Sequence, residues 1–192
     1  RLMSAGITKI YCSPIGRARQ TAQPTCEALG QKPEIKEFLR EYPASIRCPK
    51  TGENICPWVL APEYWTDDER VYHRTDWMKV PLYAESRVPA VYAEITEGAD
   101  GLIAQHGYRR DGSAWRIERK NSDVIALFCH FGLGMALTGH LLGISTPLLW
   151  GRGHLPTSSV TTVAFWESSP GQADVRCTAV GDTSHLYGAE KV

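Results

Sequence analysis

Two short stretches carry residue types whose spacing suits chemistry on an anion. The first is "DVIALFCHFGLGMALTGHLLG" (Asp123 to Gly143), in which an unbroken apolar run ends at His130 and is followed by Phe-Gly-Leu-Gly and a helix-like segment. An imidazole at the C-terminal end of a strand stands where open α/β sheets bind their ligands. The second is "YCSPIGRARQTA" (Tyr11 to Ala22), which places Arg17 at the start of a helix after a strand. Free N–H groups and the helix dipole favour an anion there, and a guanidinium adds bidentate donors for a phosphoryl group. A helix-start arginine also serves as a solvated surface residue, which is how Arg19 reads.

Other chemistries lack their usual patterns. A cysteine phosphatase needs its thiolate six positions before the phosphate arginine, whereas Cys12 precedes Arg17 by five and Arg19 by seven. The chain has no G-x-S-x-G elbow, no H-E-x-x-H and no G-x-x-x-x-G-K-[ST]. His73, His106, His140, His154 and His185 show no ligand spacing and read as structural or exposed, so no metal is expected.

The elements that must position these residues are legible in the pattern. "ITKIYCS" (Ile7 to Ser13) reads as a short strand, and "GRARQTAQPTCEALG" as a helix kinked near Pro24 and stopped at Gly30. Val124 to Cys129, apolar throughout, reads as a strand buried on both faces in the middle of a parallel sheet. Val88, Val91, Tyr92, Ile95, Ala99, Leu102 and Ile103 fall on one side of a helix spanning residues 88–105. Asp111-Gly112 marks a hairpin, and "SVTTVAF" and "DVRCTAV" are two further β-rich segments. From Pro43 to Ser86 five prolines and Trp58, Trp65 and Trp77 lie among charges without a sustained period. That texture predicts an irregular insertion.

Bulk composition limits the class. The 192 residues, 43% hydrophobic, suffice for one domain carrying an insertion. Lys+Arg and Asp+Glu balance at 21 each, which argues against nucleic acid as a partner. No run approaches the ~18 apolar residues of a membrane span. The six cysteines lack CxxC spacing and read mostly as reduced thiols, which points to the cytoplasm. The chain opens at "RLMSAG", without Met, so the presence of a leader cannot be read from it.

Taken together, "SPIGRARQTA" (Ser13 to Ala22), "VIALFCHFG", "GHLLGIS" and "LPTSSVTTV" resemble, in order and spacing, the motifs of the histidine phosphatase superfamily, the phosphoglycerate-mutase-like proteins. The resemblance covers most of the chain outside Pro43 to Ser86. It implies an α/β fold of three layers: a mostly parallel central sheet flanked by helices, formed by a single domain over residues 1–192, with residues 43–86 as a cap-like insertion.

The resemblance also implies a function. Arg17 becomes the second phosphate-binding arginine and His130 the second active-site histidine, with Ser13, Phe131 and Gly132 lining the phosphate site. In "EFLREYP", Glu41 matches the position of the general acid, with Glu37 the weaker candidate. The activity implied is a phosphomonoesterase working through a phosphohistidine on a small phosphorylated metabolite, without a cofactor. A phosphoglycerate-mutase-like phosphotransfer enzyme and an inactive phospholigand-binding module are the alternatives. The ligands implied are a small phosphorylated substrate or inorganic phosphate, and the oligomeric state stays open.

One departure stands out. The family's nucleophile lies in an Arg-His-Gly tripeptide at the end of its first strand, and these residues contain no Arg-His-Gly. Either such a segment lies upstream of Arg1 or the protein is a degenerate relative; loss of a central strand would leave ladder groups unpaired and open the core, so the first is expected. The three tryptophans of the insertion are expected to select the leaving group.

Overall fold

The computed structural model describes residues 1–187. In chain order its strands and helices are β1 (Lys9–Cys12), α1 (Gly16–Leu29), β2 (Glu34–Ile35), β3 (Ile46–Arg47), β4 (Asn54–Ile55), α2 (Pro81–Ala84) and α3 (Val88–Gln105). Then follow β5 (Tyr108–Asp111), β6 (Ala114–Ile117), β7 (Ile125–Phe128), α4 (Phe131–Leu142), α5 (Thr146–Arg152), β8 (Val160–Ser169) and β9 (Gln172–Asp182). The fold is α/β, with a parallel sheet and helices, as the sequence pattern leads one to expect. Contacts divide the described residues into two compact units: residues 1–40, 100–129 and 155–187 form the first, and residues 41–99 and 130–154 the second.

In the first unit, β2, β1 and β7 make a parallel sheet in that order, with Ile10 opposite Ala126 and Cys12 opposite Phe128. Helix α1 buries Ala18, Ala22 and Cys26 against Ile7, Ile10 and Cys12, the spacing of one helical face. It continues through Pro24 and ends at Gly30, whose left-handed backbone (φ 62°) suits a residue without Cβ. The other face of β1 presents Tyr11, whose hydroxyl lies 2.9 Å from His106 Nε2. His106 Nδ1 lies 2.7 Å from Asp123 Oδ2, and because an ionised carboxylate only accepts, Nδ1 is the donor in that bond. The remaining strands form an antiparallel sheet in the order β5-β6-β9-β8. Asp111-Gly112 opens the turn between β5 and β6, and Trp115, fully buried, packs on Phe165 with the Arg110 guanidinium 4.1 Å from its ring.

Strand β7 departs from the reading of its composition. It was expected in mid-sheet with both faces covered, yet each residue from Ile125 to Phe128 is half-buried. Among the described residues β7 pairs with β1 alone and ends its sheet. An apolar run reports the tolerance of a strand for burial, whereas burial itself depends on what lies across each edge and face.

The second unit holds the insertion. Residues 43–86 contain one two-residue hairpin, β3 with β4, and five short 3-10 turns or helical turns between Pro57 and Ala84, a texture that follows from proline at the start of three of them. Its core is aromatic: Trp77 meets Tyr83, Tyr92 and Trp150 edge to face at 5.4, 5.1 and 6.0 Å. Of α3, Val88, Val91, Tyr92, Ile95 and Ala99 are buried in the series read from the sequence.

Candidate active site

At the turn from β1 to α1, Ser13 is fully buried and its N–H donates to the Phe128 carbonyl at 2.9 Å, extending the ladder by one residue. Its Oγ accepts the Ile15 N–H at 3.2 Å, the local bond by which serine turns a chain into a helix start. Ile15 is the N-cap of α1, so Arg17 occupies the second helical position, exposed in the first turn. Ser13 and Arg17 therefore share one strand-turn-helix corner of the first unit. Glu37 is exposed in a short 3-10 turn of the same unit, 3.8 Å from Arg40.

The second corner belongs to the second unit. His130 is the N-cap of α4 in extended conformation (φ −136°, ψ 173°), and its carbonyl accepts the Gly134 N–H at 2.9 Å. The first-turn N–H groups of a helix have no partner within it. Here the Leu133 N–H donates to Glu41 Oε1 at 3.2 Å, and the same oxygen accepts the Tyr42 N–H at 2.9 Å. A carboxylate at a helix N-terminus also gains from the dipole. Both bonds fall on Oε1, so a protonated Glu41 carries its hydrogen on Oε2.

What fixes Glu41 there is its neighbour. The Tyr42 hydroxyl donates to the Val88 carbonyl at 2.7 Å, and its ring lies edge-on to Trp150 at 4.9 Å. Trp150 Nε1 donates to the Gly132 carbonyl at 2.8 Å. Burial pushes the Tyr42 phenol far above its ordinary range, so it stays a neutral donor. Neither Tyr42 nor Trp150 stands out in the sequence; "LREYP" gives the first by adjacency to Glu41, and nothing local gives the second.

Phe131 and Gly132 are the first two residues of α4, and Gly132 is there for space: a Cβ would lie 2.2 Å from Trp58 Cζ3. Trp58 also meets the Phe131 ring edge to face at 6.0 Å. The expectation that three tryptophans share one role needs correction. Trp77 is fully buried, and Trp65 is 4% exposed, packed where a Cβ on Gly151 would lie 2.5 Å from it. Those two are core, and Trp58 alone is half-exposed.

The sequence-derived site residues thus fall into two groups: Ser13 and Arg17 in one unit, and Glu41, His130, Phe131 and Gly132 in the other. Residues 1–177 match the profile of the histidine phosphatase superfamily (branch 1), and the chain belongs to that family. No curated protein sequence matches it significantly. Among solved structures it is similar to a mycobacterial glucosyl-3-phosphoglycerate phosphatase solved with VO3, at 19% identity and TM-score 0.57, over 95% of this chain and 80% of that one. It is also similar to mycobacterial hydrolase 1 (18% identity, TM-score 0.58, 94% and 79%) and mycobacterial hydrolase 2 (21%, 0.57, 97% and 77%). These likenesses establish the fold. None of the helices among the described residues is long and apolar enough to cross a membrane.

Proposed function

We propose that this protein is a phosphomonoesterase that transfers the phosphoryl group of a small phosphorylated metabolite to a histidine and then to water. The observation that carries the reading is the Glu41 carboxyl group bonded to the first turn of α4 at 3.2 Å, with His130 capping that turn. A phosphate monoester repels nucleophiles, so donors around its equatorial oxygens stabilise the transition state. In the second unit, His130 and the first-turn N–H groups of Phe131 and Gly132 supply such donors.

The nucleophile that this reading requires is an imidazole such as that of the family's Arg-His-Gly tripeptide, which residues 1–192 do not contain. Strands β7 and β8 each end their sheet among the described residues, leaving ladder groups that a further strand would satisfy. The imidazole nitrogen bonds to phosphorus as the ester oxygen departs with the proton from Glu41 Oε2. Ionised Glu41 then takes a proton from water, whose oxygen attacks the phosphohistidine and releases inorganic phosphate. Glu41 ends protonated, ready for the next cycle.

The test is rapid acid- or alkali-quench of the full-length protein with a ³²P-labelled monoester. A stoichiometric burst of acid-labile, alkali-stable protein-bound phosphate is expected, and His130→Ala should lower turnover roughly 10²-fold. A folded full-length protein that neither forms this adduct nor releases phosphate would overturn the reading in favour of a binding module. Transfer to a second alcohol in place of water would make it a mutase.

A further inference from the structure

We propose that Trp58 is the leaving-group wall of this site and that it selects esters whose alcohol is a ring, specifically a monosaccharide. The inference rests on the phosphatase reading above and adds the class of alcohol. Glu41 and Trp58 act on adjacent positions of one helical turn: Glu41 binds the N–H of Leu133, and Trp58 covers Gly132. On this proposal, an alcohol oxygen that takes its proton from Glu41 carries its substituent beside the indole.

The ring is held in place before any ligand arrives. Three atoms of its six-membered ring, Cζ3, Cη2 and Cε3, lie 2.2, 2.5 and 2.8 Å from where a Cβ on Gly132 would be. Phe131 and Trp150 each lie 6.0 Å away, centroid to centroid. Its backbone is in a 3-10 turn led by the buried Pro57. A rigid aromatic surface costs little conformational entropy on binding.

Its polar edge is the informative part. Trp65 Nε1 donates to the Leu60 carbonyl and Trp150 Nε1 to the Gly132 carbonyl. Trp58 Nε1 has no hydrogen-bond partner among the described residues and is not among their buried unsatisfied atoms, so its N–H reaches solvent. A flat apolar face beside an open N–H donor matches a sugar, which offers a C–H face and hydroxyl acceptors together. A short acyclic alcohol offers the hydroxyls without the face, and an aryl alcohol the face without the hydroxyls.

The experiment has two arms. In the full-length protein, kcat/KM is measured for glucose 6-phosphate, phenyl phosphate and glycerol 1-phosphate in wild type, Trp58→Phe and Trp58→Ala, with thermal midpoints to confirm folding. Trp58→Ala is expected to cost about tenfold on glucose 6-phosphate, the factor that ~1.4 kcal/mol corresponds to, and under about twofold on glycerol 1-phosphate. Trp58→Phe should retain most of the activity on phenyl phosphate and less on the sugar phosphate. Equal losses on all three esters, or none, would overturn the proposal; a loss confined to phenyl phosphate would overturn its commitment to sugars.

The second arm reads binding in the wild-type protein and uses a variant only for assignment. In the wild-type full-length protein, the ¹⁵N-labelled indole resonance of Trp58, assigned through Trp58→Phe, is followed on titration with glucose 6-phosphate and with inorganic phosphate. It should move with the sugar ester and not with phosphate alone; an unmoved resonance overturns the proposal. If no ester is hydrolysed yet the resonance moves, the phosphatase reading fails and the sugar-binding role of Trp58 stands.

Discussion

Glu41 Oε1 accepts a hydrogen bond from the backbone N–H of Leu133, 92 residues further along the chain. The same carboxyl group that the family motif marks as the acid is thus also a cap on the helix that begins beside His130. In the proposed reaction the proton would travel on Oε2 while Oε1 serves the cap, which makes the two separable by substitution.

Glu41→Gln keeps an acceptor oxygen for Leu133 and Tyr42 and removes the transferable proton. Stability in urea should stay close to wild type, whereas Glu41→Ala should lose about 1 kcal/mol, the usual cost of an uncapped helix start. In single-turnover bursts, Glu41→Gln should depress phosphoenzyme formation far more for an alkyl phosphate than for p-nitrophenyl phosphate, because nitrophenolate leaves without a proton. Glu37→Gln, on an exposed turn, should leave both rates unchanged. Equal losses on the two esters would assign the acid to another group.

Gly132→Ala would drive a methyl group into the Trp58 ring. Overpacking of this kind costs about 1–3 kcal/mol. A smaller residue at position 58 makes room, so Gly132→Ala combined with Trp58→Leu should cost less than the sum of the two single changes. Denaturation of the four proteins of this double-mutant cycle gives the coupling directly, and strict additivity would contradict the contact.

The third expectation concerns acid. The Ser184 N–H, donating at 2.8 Å, and then the Arg1 guanidinium hold the Asp182 carboxyl group down at about 2, from an ordinary 3.8. A group with a lowered folded pKa stabilises above its unfolded pKa, and that contribution fades as pH falls from about 4 towards about 2. Asp182→Asn should therefore lower the urea midpoint near pH 6, and the gap from wild type should narrow steadily below about pH 4. A gap of constant width across that range would show that the side chain acts through packing.

Local pattern was enough for much of the scaffold. The strand at Ile7 to Ser13, the stop of α1 at Gly30, the buried side of α3 and the Asp111-Gly112 turn each follow from spacing or from a residue with a special backbone. What stayed hidden depends on distant partners. Trp58, Trp65 and Trp77 look alike in the sequence, and only the glycines at 132 and 151 and the packing around Trp77 separate wall from core. Trp150 carried no local mark, since its role comes from a carbonyl 18 residues away and from Tyr42. His106 read as structural or exposed, and its bonds to Tyr11 and Asp123 arise from three separate parts of the chain. Glu41 was singled out through its family motif, while its bond to Leu133 needed the fold.

Strand β7 has a practical consequence for anyone handling this chain. Ile125, Ala126, Leu127 and Phe128 present an apolar rim with no lysine, proline or bulge to discourage another strand, and the flanking Val124 is 39% exposed. Natural proteins guard such rims because they template sheet growth between molecules. Concentrated solutions of these 192 residues should therefore self-associate, with light scattering rising steeply with concentration, and a lysine at Val124 should raise the solubility limit.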